Sequence, residues 1–166
     1  MQVFKFGGAS IKDANGVKNL ASVLNKTGQK NTLIVVSAMG KTTNALEVVI
    51  KNYFEKSPEL QSSIQEVKKY HNQILLDLFE DDKNAVFKDV NSLFSELDHF
   101  ISQNKSPNYN FVYDQIVSFG ELISTTIISH YMGFMGIKTQ WIDVRNLIKT
   151  DNNYRDANVD WDTTQK

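Results

Sequence analysis

The chain has 166 residues, 41% of them hydrophobic, and a formal net charge of −1. That length and composition suit one domain with a real core and exclude a disordered or fibrous chain. Near-neutral charge with Lys scattered among Asp and Glu argues against nucleic acid as a partner, and the lack of cysteine removes disulfide scaffolds, thiolate metal sites and Cys nucleophiles together.

The first predicted strand starts at Met1 and runs into Lys5-Phe6-Gly7-Gly8-Ala9-Ser10, followed by a helix-like stretch. Lys5 and the glycines interrupt any apolar run of signal-peptide length there, and no segment reaches the ~18 apolar residues of a membrane span. A cytoplasmic protein without membrane contact is the expectation. Gly7 and Gly8, lacking side chains, let backbone N–H groups approach a polyphosphate, and Lys5 adds a compact positive charge at the strand's end. An ordinary strand-to-helix turn is the plainer alternative.

A second strand, loop and helix start follow over Thr32-Leu33-Ile34-Val35-Val36-Ser37-Ala38-Met39-Gly40-Lys41-Thr42-Thr43-Asn44. The continuous apolar run Leu33 to Val36 predicts the interior of a parallel sheet covered on both faces. Thr42, Thr43 and Asn44 offer N-cap groups for the helix that opens at Ala45-Leu46. Ligands of such sheets gather at the carboxyl ends of the strands, which puts Lys5 and Ser37 on one crevice. Gly40-Lys41-Thr42 echoes the end of a P-loop, but Val35 stands where that motif needs its first glycine.

From Asn44 to Ile101 the period turns helical. Leu46, Val49, Ile50 and Tyr53 form one stripe that ends at Ser57-Pro58, with the proline suited to the first turn of the next helix. Leu60, Ile64, Val67, His71, Ile74, Leu75 and Leu78 form a second, and Val86, Val90, Leu93, Phe94, Leu97 and Ile101 a third. These three amphipathic helices read as core packing rather than a cofactor box. Asp81-Asp82 lacks the alternating ligands of a calcium loop and reads as a charge pair at a helix N-terminus. His71, His99 and His130 lie far apart, out of any metal-ligand spacing, and read as ordinary surface or core-edge residues.

After the loop at 103–108 a further helix is predicted from about Val112 to Met132. Glu121 is its notable residue, an acid with apolar neighbours on both sides, costly there unless a cation or several donors meet it. It sits either toward the crevice or on the helix's wet face. Gly120 weakens the helix by up to ~1 kcal/mol relative to alanine, which a close approach would explain. Gly133 and Gly136 mark the helix end, and Lys138 to Asp143 reads as a strand, closed by Asp143-Val144-Arg145. Thr150 to Ala157 is polar and loop-like, and Asp160 to Lys166 resembles a helix that begins without continuing. Three strands and a short fourth candidate are fewer than a typical doubly wound sheet contains.

In order and spacing these segments resemble the aspartate kinase family. Lys5-Phe6-Gly7-Gly8-Ala9-Ser10 resembles the family's opening Lys-Phe-Gly-Gly-Thr-Ser, with Ala9 in place of threonine. Val35 to Asn44 is similar to its second motif, Ser118-Phe119-Gly120-Glu121-Leu122 to its Gly-Glu helix, and Trp141-Ile142-Asp143-Val144-Arg145 to the strand end that follows. The resemblance runs from Met1 to about Ala157. It implies a three-layer α/β amino-acid kinase (carbamate-kinase-like) fold. Residues 1–166 would form its N-terminal, aspartate-side part, with a helical excursion at about 44–103.

The implied activity is ATP-dependent phosphorylation of the side-chain carboxylate of L-aspartate to 4-phospho-L-aspartate, the first step towards lysine, threonine and methionine. Lys5 would be catalytic and contact the ATP phosphates, and Gly7 and Gly8 would line the phosphate path, with Ser10 a further candidate beside them. Ser37, Thr43 and Glu121 would hold L-aspartate. ATP and the Mg2+ it carries are the implied cofactors, and the parent is expected to be a homo-oligomer. Family members continue into a half that binds the nucleotide, so these residues alone are expected to be inactive. Another amino-acid kinase of the fold, acting on glutamate or an N-acetylated amino acid, and a non-catalytic binding fragment are the alternatives.

Overall fold

The computed structural model describes residues 1–165. Strand β1 (Gln2–Phe6) is followed by a 3-10 turn at Gly8–Ile11, helix α1 (Ala14–Thr27) and strand β2 (Thr32–Val36). Helices α2 (Thr42–Phe54), α3 (Leu60–Leu78), α4 (Ala85–Gln103) and α5 (Tyr109–Phe134) follow, then a 3-10 turn at Val144–Asn146 and a short α6 (Trp161–Thr164). The two strands pair in parallel, Lys5 opposite Val35 and Phe6 opposite Val36.

Local chemistry sets the joints. Asp13 caps α1 by accepting the Gly16 N–H at 2.8 Å, and the helix ends at Gly28, whose φ of +94° suits glycine. Asn84 and Asn108 cap α4 and α5 in the same way. The apolar stripes of α2, α3 and α4 turn inward as their spacing predicts, with Leu46, Val49, Ile64, Leu75, Val90 and Leu97 all buried. α5 is the centre of this core. It packs against α2, α4, α1 and β2, so apolar residues surround most of its circumference.

Several expectations from sequence are corrected. Lys138 to Asp143 is not a strand. Among the described residues nothing offers it a ladder of backbone partners, and it is tied down by the Trp141 indole N–H, which donates to the Thr125 hydroxyl at 3.0 Å. The sheet therefore has two strands. Nor is β2 covered on both faces: Phe4, Phe6, Ile34 and Val36 pack on the core, while Val3, Leu33 and Val35 are 58%, 45% and 43% exposed. Lys41 takes the N-cap position of α2 with no side-chain cap bond, since an ammonium cannot accept, and Thr42, already the first helical residue, donates its hydroxyl back to the Met39 carbonyl at 2.6 Å. Pro58 lies in the turn before α3 rather than within it, and the Asp81-Asp82 pair precedes the Asn84 cap of α4. α5 starts three residues earlier than predicted, at Tyr109. No helix among the described residues is long and apolar enough to cross a membrane.

Candidate functional site

The carboxyl ends of β1 and β2 carry two loops that lie against each other. The Ser37 N–H donates to the Phe6 carbonyl at 3.2 Å, and the Gly40 N–H to the Gly8 carbonyl at 3.0 Å. The contact is close enough that a Cβ on Gly8 would stand 2.5 Å from the Ala38 carbonyl oxygen and 3.0 Å from that of Gly40. Gly8 is therefore required by packing. Gly7 has open space around it, which leaves room for a ligand to approach its backbone. Lys5 is exposed at the end of β1, Ser10 is exposed in the 3-10 turn, and Thr43 is half-buried in the first turn of α2.

Helix α5 closes the third side. Gly120 lets it approach so near that an added Cβ would lie 3.0 Å from Ala38 Cβ and 3.4 Å from Thr42 Cγ2. Glu121, half-buried, accepts the Ala38 N–H through Oε1 at 3.2 Å, and the Ser124 hydroxyl donates to the Ser37 carbonyl at 2.8 Å. Between the two readings of Glu121, the helix faces this residue toward the loop. Its second carboxylate oxygen takes no hydrogen bond among the described residues. A half-buried carboxylate with one oxygen fixed and one open suits a cationic group of a ligand.

Gly7, Gly8, Ser37 and Glu121 thus lie where the two loops and α5 meet at one end of the sheet, with Thr43 in the first turn of α2 beyond them. Lys5, which alternates with the core-facing Phe4 and Phe6 and pairs with the exposed Val35, is on the sheet's open face. Sequence reasoning passed over Ser124, although its place three residues after Glu121 puts it on the same helix face. His71 is not the surface or core-edge residue that the sequence suggests. His71 is fully buried behind the second loop, where burial pushes its pKa down to about 4 against the partial opposition of the Val67 carbonyl. Among the described residues no group of three or more His, Cys, Asp or Glu is placed to hold a metal ion. Two open concavities, of about 550 and 390 Å³, lie on the helical excursion around Phe100 and Ile64 and share no residue with these loops.

The family model described as the amino acid kinase family matches residues 1–166. Aspartokinase 1, chloroplastic, of Arabidopsis thaliana is 31% identical over 144 residues, which cover 85% of this chain and 25% of that protein. The bifunctional aspartokinase/homoserine dehydrogenase 2 of Escherichia coli is 26% identical over 152 residues, 90% of this chain and 18% of its own. In fold, the chain matches crystalline E. coli aspartokinase III in complex with lysine and aspartate with a TM-score of 0.86 at 23% identity, over 99% of this chain and 36% of that one. The same enzyme in complex with aspartate and ADP gives 0.85 at 22% identity. The chain spans 16% of the length of two bifunctional Arabidopsis aspartokinase/homoserine dehydrogenases that it also matches.

Proposed function

The chain belongs to the amino acid kinase family, and from that premise we propose that it serves the ATP-dependent phosphorylation of the side-chain carboxylate of L-aspartate. The observation that carries this reading is the half-buried Glu121, held by the Ala38 N–H beside the two glycine-containing loops. Its open oxygen pairs with the α-ammonium of aspartate, and the Ser37 and Thr43 hydroxyls bind the α-carboxylate. The side-chain carboxylate is ionised at neutral pH, so it attacks the γ-phosphorus without a general base. A new O–P bond forms as the bond to ADP breaks. Lys5 offsets the charge that gathers on the phosphoryl group, while the Gly7 and Gly8 backbone, with Ser10 beside it, lines the phosphate path. Positioning and electrostatics supply the rate.

Magnesium would come bound to the nucleotide phosphates and would offset their charge. A cytoplasmic location and a homo-oligomeric parent belong to the same proposal. The residues in hand form the aspartate side of the site, one partial amino-acid kinase domain over 1–166. The test is a coupled assay of ADP release by the kinase polypeptide that carries this segment, with aspartate, ATP and magnesium. Glu121→Ala should raise the aspartate KM strongly or abolish turnover, and unchanged kinetics would remove Glu121 from the site. Faster turnover with glutamate or an N-acetylated amino acid than with aspartate would transfer the proposal to that substrate.

A further inference from the structure

His71 is a buried titratable group that this phosphoryl transfer does not use. Its ring meets those of Tyr70 and Phe94 edge-on, with centroids 5.0 and 5.9 Å apart. Nδ1 lies 2.8 Å from the Val67 carbonyl, and a carbonyl only accepts, so Nδ1 carries the proton. In the neutral ring Nε2 is therefore an acceptor, and it faces the Thr42 hydroxyl at 3.2 Å. That hydroxyl has one proton and a second acceptor, the Met39 carbonyl at 2.6 Å. Met39 and Thr42 belong to the turn that carries Ser37 at one end and Thr43 at the other.

The adjacent Tyr70 reaches the other loop. Its hydroxyl donates to the Lys12 carbonyl, just past the 3-10 turn, and occupies the space beside Gly40, whose φ is +55°. Two neighbouring residues of α3 thus grip the loop after β1 and the loop after β2 from behind.

We propose that Tyr70 and His71 are positioning residues for the amino-acid side of the site. His71 acts through the Thr42 hydroxyl on the Ser37–Thr43 turn, and Tyr70 sets that turn against the loop after β1. The inference rests on the aspartate-kinase reading for its substrate. The hydroxyl resists opening of the turn, because it is the one donor within reach of Nε2 among the described residues and a turn that swings away leaves that nitrogen unpaired in a dry interior, while the Met39 carbonyl keeps the Thr42 N–H at 3.0 Å. Small displacements of substrate-holding groups are enough to weaken binding and catalysis.

Thr42→Val keeps the β-branched shape and removes the hydroxyl, and Thr42→Ser restores it. In the kinase polypeptide Thr42→Val should raise the aspartate KM about tenfold while kcat and the ATP KM stay within about twofold, with Thr42→Ser close to wild type. In the 166-residue chain the Ala38 and Gly40 amides, which report the turn's bonds to Glu121 and Gly8, should exchange about tenfold faster in Thr42→Val while those of Val90 and Phe94 are unchanged. Tyr70→Phe should move the same two amides, and it serves if Thr42→Val does not fold. Unaltered exchange at Ala38 and Gly40, or an unaltered aspartate KM, would overturn the inference. A wild-type kinase polypeptide with no aspartate-dependent turnover would overturn the functional reading instead, and the exchange experiment would still decide whether the brace exists.

Discussion

Gly7 and Gly8 are neighbours with different physical duties. Gly8→Ala drives a methyl into two backbone carbonyls that cannot step aside, so it should cost about 1–3 kcal/mol in a urea melt. Gly7 has a φ of −76° and nothing within 4 Å of a built Cβ, so Gly7→Ala should leave the melt unchanged. Any loss of turnover it causes would then report ligand approach. Lys5 is exposed and takes no part in the core. Lys5→Met in the kinase polypeptide should lower kcat by about a hundredfold, as removal of one preorganised electrostatic contact does, and a near-normal kcat would make the lysine structural. His71 has a pH signature. Its folded pKa of about 4 lies below the ordinary 6.5, so between those values the unfolded chain binds the proton and the folded chain does not. Its contribution to stability is fully present above about 6.5 and is lost as pH falls to about 4, a change on the order of 3 kcal/mol. His71→Gln should flatten that part of the stability profile, measured by urea melts across the window.

At the scale of elements, α5 joins core and site. Ile123 is fully buried, while Gly120, Glu121 and Ser124 touch the Ser37–Ala38 segment. Ile123→Ala should cost about 2–5 kcal/mol in a urea melt. The helices were legible because a 3.6-residue period survives in α2, α3 and α4, whose buried positions are mostly those of the predicted stripes, with Tyr53, Leu60 and Leu93 only half-buried and the polar Thr42, Asn52 and Ser63 buried outside them. The start of α5 is not legible because its cap, Asn108, ends a polar loop and carries no periodic signal. The strand expected over 138–143 failed for a different reason. Alternating side chains describe a face, but a strand exists only when another strand takes its hydrogen bonds, and that partner is not a property of the segment.

At the scale of the whole molecule, the described residues present a two-stranded sheet with Val3, Leu33 and Val35 on its open face. The chain covers 36% of the solved aspartokinase III chain it resembles. We therefore expect the 166 residues alone to show no aspartate-dependent ADP release, since in-line transfer needs both reactants held together. Measurable turnover would refute this. The two glycine-containing loops, the first two strands, the helices after them and the odd position of Glu121 were written in the sequence, because backbone freedom, apolar period and an isolated charge are local properties. Which face of β2 lies open, whether 138–143 pairs, which way Glu121 points and what His71 braces were decided only by tertiary structure. Each depends on what a distant segment brings to within hydrogen-bonding or van der Waals reach, and Glu121 and Ala38 meet across 83 positions of chain.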